Sequence, residues 1–107
     1  MPDASAAQAF VTAVQTAAIS GPLLVVATSD TVGRFAPDWA VACQDLELHY
    51  RVLVVEPDCP LAADDIATEA ARLSAGGILA VGPDGLVITA TVAARQSGLP
   101  LAILAEG

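Results

Sequence analysis

The sequence predicts an α/β fold in which a four-stranded parallel sheet lies between two layers of helices. Three observations point there. Four short apolar runs, Leu23–Ala27, Val52–Val55, Ile78–Val81 and Leu99–Leu104, lack the polar–apolar alternation of half-exposed strands. Segments with apolar residues three and four apart separate them, as helices do. The stretch from Gly76 to Gly107 reads as strand, glycine turn, helix and strand, which is the βαβ unit of a parallel sheet.

The elements follow in order. Asp3 or Ser5 can cap a first helix from Ser5 to Ile19, with Ala7, Phe10, Val11, Val14 and Ala18 on one face. Gly21-Pro22 stops it. The run Leu23–Ala27 is the first strand, and the polar residues Thr28–Gly33 read as a loop. Pro37 opens the next helix, which ends near Leu46 and carries Trp39, Ala42, Cys43 and Leu46 inward. His49-Tyr50-Arg51 leads into the second buried strand, Val52–Val55, and the cluster Glu56–Pro60 ends it. Asp64 and Asp65 begin the third helix at its positive end, Ile66, Ala70 and Leu73 form its inner stripe, and Gly76-Gly77 closes it. Ile78–Val81 is the third strand. The last helix runs from Asp84 to Ser97 with Gly98 as its C-cap, before the fourth strand, whose Pro100 belongs at a strand start or an edge.

Short connections and right-handed crossovers turn this order into one Rossmann-like three-layer sandwich over residues 1–107, an N-terminal helix followed by βαβαβαβ from 23 to 104. The expected strand order is 2-1-3-4, with the switch point between strands one and three.

Composition narrows function. The formal charge is −8, there is no lysine, and Arg34, Arg51, Arg72 and Arg95 are scattered, which speaks against nucleic acid and against an acidic membrane surface. Cys43 and Cys59 form no CxxC pair, no basic leader precedes the first helix, and no apolar run approaches a membrane span of ~18 residues. A cytoplasmic location is the expectation. Metal spacing is absent, and His49 has no nucleophile or acid assignable to it.

Ligands of such sheets bind beyond the carboxyl ends of the strands. The candidate ligand residues there are Ser29, Asp30, Thr31 and Arg34 after strand one, Glu56 after strand two, and Gly82, Asp84 and Gly85 after strand three. A helix amino terminus attracts anions through free N–H groups. Here Pro83 has none to give, and an N-cap Asp84 places its own carboxylate in the anion position. The turn therefore reads as structural before it reads as a phosphate loop.

The segment Gly82-Pro83-Asp84-Gly85-Leu86-Val87-Ile88-Thr89-Ala90-Thr91, followed by Gly98-Leu99-Pro100, resembles the nucleotide-binding half of the iron-containing alcohol dehydrogenase and glycerol-1-phosphate dehydrogenase group. The resemblance covers the four strands but not the first helix. Pro83 and Asp84 stand where that group has glycines, and Ile88 and Thr91 where it has Asp and Lys. It implies a shared fold rather than hydride transfer. Thr28-Ser29-Asp30 and Tyr50–Val55 are also similar to the aminoimidazole ribonucleotide mutase fold, without its Ser-Ala-His-Arg, and Pro83-Asp84-Gly85 with Leu99–Ala105 to a response-regulator receiver without its acidic pair, phosphoacceptor, Lys and fifth strand.

The functional expectation is a non-catalytic oligomeric or partner-binding domain, a homo-oligomer or a regulatory partner of another protein, with no cofactor. The last helix is apolar almost all round, and a 55% hydrophobic fraction exceeds the roughly 45–50% of ordinary domains. Its interface candidates are Leu86, Val87, Val92 and Ala93. The alternative is a small protein or enzyme binding NAD(P) or a phosphosugar at the switch point, its site completed across a subunit boundary.

Overall fold

The computed structural model describes residues 4–55, 62–82 and 84–105. Four helices, α1 (Ala4–Thr16), α2 (Ser29–Leu46), α3 (Ala63–Leu73) and α4 (Asp84–Ser97), alternate with strands β1 (Leu23–Ala27), β2 (Tyr50–Val54), β3 (Gly77–Gly82) and β4 (Leu101–Ala105). The sheet is parallel throughout with order β2-β1-β3-β4, as the sequence predicts. The switch point therefore falls between β1 and β3, whose registers align Ala27 with Val81.

The central strands have no solvent face because each side meets helices. Leu23, Val25 and Ala27 point with Leu79 and Val81 into a core closed by Phe10 and Val14 of α1 and Trp39, Ala42 and Cys43 of α2. Leu24 and Val26 point with Ile78 and Ala80 the other way, onto Ile66 and Ala70 of α3 and Leu86, Ala90, Ala93 and Ala94 of α4. The change of direction after β2 moves the later crossovers to this second face.

Four expectations need correction. α2 opens at Ser29, eight residues before Pro37, so Thr28–Gly33 is not a loop. Pro37 deletes one helical hydrogen bond, to the Gly33 carbonyl, but both residues are exposed and water can serve that carbonyl. β2 starts at Tyr50 and is only half-buried, because it lies at an edge of the sheet. α1 ends at Thr16 rather than Ile19, and Ala18 turns the chain at φ 57°. α3 is closed by Ser74 at φ 55°, not by Gly76-Gly77; Gly77 already belongs to β3.

All four helices end alike. The residue in the left-handed region is Ala18, Glu47, Ser74 or Gly98, and the next residue, Ile19, Leu48, Ala75 or Leu99, donates its N–H five residues back, to Val14, Cys43, Ala70 or Ala94 respectively. This is the Schellman closure, which satisfies carbonyls the helix leaves open. Only α4 uses glycine for it, so the other three ends carry no composition signal. Pro100 precedes β4, an edge strand, in keeping with its missing donor. Among the described residues no helix is long and apolar enough to cross a membrane.

Candidate functional site

At the carboxyl edge of the sheet, Thr28 follows β1 and Gly82 ends β3, side by side because Ala27 and Val81 are in register. α2 and α4 both begin there. Thr28 holds an extended conformation, φ −79° and ψ 161°, and its Oγ1 accepts the Thr31 N–H at 3.2 Å. Its hydroxyl donates to Thr31 Oγ1 at 3.0 Å. Thr31 is fully buried, the one buried polar side chain among the described residues, and its partner is this cap. Thr31 thus lies beneath the helix end rather than in the crevice.

Ser29 and Asp30 are exposed on the first turn of α2. Asp30 sits well for the helix dipole and pairs with Arg34 at 3.3 Å. Both side chains are largely in water, so the pair adds little stability. The Arg34 guanidinium also lies 5.4 Å over the Phe35 ring. Gly82 has φ +151°, a conformation other residues rarely adopt, and leads directly to α4. Asp84 is the first residue of α4, and Pro83 before it lies outside the described residues. Gly85 is exposed in the same turn. Glu56, Asp58 and Cys59 lie outside the described residues as well. The structure therefore brings Thr28, Gly82 and the first turns of α2 and α4 to one edge, with the acid and base of the α2 turn engaged with each other.

Replacing Thr28 by alanine is expected to cost about 1 kcal/mol, the worth of a side-chain cap, with serine restoring most of it. Hydrogen exchange in the first turn of α2 would show the loss locally.

Other chemistry is sparse. Asp65 serves its own helix, accepting the Ala62 N–H at 3.2 Å. The exposed His49 contributes its carbonyl, which accepts the Leu23 N–H at 2.8 Å. Among the described residues, no three of His, Cys, Asp and Glu gather as metal ligands would. Cys43 is a free, buried thiol, and burial pushes it up from 9.0 to about 11. The folded chain holds that proton longer than the unfolded chain. The resulting stability is complete below pH 9 and declines as pH rises towards 11. Iodoacetamide at pH 8 is expected to leave Cys43 unmodified until the fold is opened, read by peptide mass mapping.

The opposite helix layer holds what sequence reasoning missed. A groove of about 520 Å³ runs between α3 and α4, lined by Thr68, Ala71, Ser74, Gln96 and Ser97 among others. The alanines of α3 and Ser74 at its end signal it, since small side chains leave space between neighbouring helices. On α4, Ile88 is 65% and Val92 43% exposed. Of the interface candidates, Leu86 and Ala93 are buried against the sheet, Val87 is half-buried, and Val92 faces outward. Ile88 takes the outward place because it stands opposite the row Leu86, Ala90, Ala93 that meets the sheet.

No protein-family model matches the chain, and no curated protein matches it.

Proposed function

We propose that this chain is a non-catalytic α/β domain that works by holding another protein chain on the outer face of α4, with a homo-oligomer as its working form. The observation that carries this reading is the exposure of Ile88 and Val92 on a helix whose sheet-facing side is already filled. Apolar side chains in a row on a surface helix are a contact surface in search of a cover. The crevice at the switch point supports the same reading. Its caps and charges satisfy one another, and Pro83 leaves the α4 end one anion donor short.

Sedimentation velocity across the micromolar range tests it. A concentration-dependent shift from monomer to oligomer is expected, and a single monomer boundary throughout would refute the reading. NAD(H), NADP(H), AMP, ATP and sugar phosphates at millimolar concentration are expected to leave the melting temperature unchanged. A ligand binding well below that concentration must raise it. A clear rise would favour the small-ligand function instead.

A further inference from the structure

Beyond what α4 holds, we infer that two copies of this chain join edge to edge through β4, antiparallel about a two-fold axis at Ile103, so that their sheets become one.

β4 closes one side of the sheet and pairs only with β3. The Pro100 carbonyl accepts the Ile78 N–H at 3.0 Å, which fixes the alternation along the strand. In a parallel ladder successive residues turn their backbone groups to opposite sides. Ala102 and Leu104 therefore bond β3, and Leu101, Ile103 and Ala105 direct N–H and C=O to the open edge. Among the described residues nothing bonds those outward groups. Such a row matches an extended strand and not a helix, since only a strand offers donors and acceptors at the same repeat. Pro100 takes nothing from it, because its missing N–H belongs to the β3 side.

The symmetry of β4 names the occupant. Leu101 and Ala105 lie at equal distances along the chain from Ile103. A second β4 running the other way sets Ile103 on Ile103 and Leu101 on Ala105, and each pair exchanges both its bonds. No outward group of these residues is then unmet, and every contact off the axis is made twice, as an isologous interface requires. Ile103 is 46% exposed, and the pairing covers it with its own copy.

The other edge is built differently. β2 carries Arg51, exposed and charged, a guard against strand addition, whereas β4 reads Leu-Ala-Ile-Leu-Ala with no charge in it. Joining β4 to β4 hides the uncharged edge and leaves the Arg51 edge at both ends. Joining β4 to β2 would leave an open edge at every step and grow a filament. A five-residue strand pair falls short of the roughly 1,200 Å² of a stable interface, so the dimer is weak and concentration-dependent.

Amide exchange read by NMR on the wild-type chain, at a concentration where sedimentation shows dimer, tests the register. The N–H groups of Leu101, Ile103 and Ala105 are expected to exchange as slowly as those of Ala102 and Leu104, and to speed up on dilution while those two do not. Fast exchange at the three outward amides in an associated sample would overturn the edge pairing. Ile103→Pro removes an N–H that β3 does not use, so the fold should stand, with a far-UV melt to check it. It is expected to weaken dimerisation about a hundredfold, because both bonds at the axis go and their carbonyls are left unmet. Ile103→Lys keeps the N–H and is expected to weaken it about tenfold through like charges across the axis. Ile88→Asp is expected to leave the β4 dimer in place. A folded Ile103→Pro or Ile103→Lys chain that associates like wild type, or association lost altogether in Ile88→Asp, would overturn the β4 contact while the α4 reading stands. A wild-type chain that stays monomeric would overturn both.

Discussion

Trp39→Ala is expected to lower folding stability by about 3–5 kcal/mol, the range for truncating a fully buried large aromatic. Trp39 is 1% exposed and Phe10 is fully buried, with ring centroids 6.3 Å apart and planes tilted by 34°. The two rings tie α2 to α1 over one face of the sheet. Aromatic residues make up only 4% of the chain, and Trp39 packs in a cluster with Ala42 and Cys43 of its own helix and with Leu23, Val25 and Leu79 of the sheet. A domain of this size holds about 5–15 kcal/mol in all, so the variant should sit near the limit of folding. Urea titration followed by far-UV circular dichroism measures it. A loss under about 1 kcal/mol would mean that α1 closes over the gap.

Gly76→Ala is expected to cost about 3 kcal/mol or more, for a different reason. A Cβ at Gly76 would fall on the Ser20 carbonyl oxygen and 2.7 Å from its carbonyl carbon. Both are backbone atoms in the connection from α1 to β1, so no rotamer change can relieve the overlap. The Gly76 N–H also donates to the Pro22 carbonyl at 2.7 Å, which holds the two segments together. The contrasting substitution is Gly33→Ala. Gly33 is exposed inside α2 with open space around it, and alanine there should stabilise by about 0.5–1 kcal/mol. If both substitutions had the same effect in urea titration, close backbone approach would not be what requires glycine at position 76.

The architecture was legible because it depends on features that survive in a single sequence. Apolar runs without alternation mark strands covered on both faces, and their connections leave few topologies. What escaped detection depends on tertiary context. The run Val52–Val55 is as apolar as Leu24–Val26, yet topology alone sends the second to the centre and the first to an edge. The residues Thr28–Gly33 suit a loop and a capped helix start equally well, and burial of Thr31 decides between them. Ala18, Glu47 and Ser74 end helices in a conformation their composition does not advertise.

The site was legible to a similar depth. Its edge of the sheet follows from strand order, and the outward apolar helix follows from an excess of Val, Ile, Leu and Ala in α4. The orientation of that helix did not follow, because residues of the same character line both sides. Only the set packed against the sheet, Leu86, Ala90, Ala93 and Ala94, identifies Ile88 as outward and Leu86 as inward.

Ala102 and Leu104 of β4 pack in the same cluster as Phe10 and Val14 of α1. Helix α1 therefore waits for β4, three strands and three helices later, before it has its full seat. Synthesis must pass β4 before α1 can settle, so the growing domain has no stable halfway house.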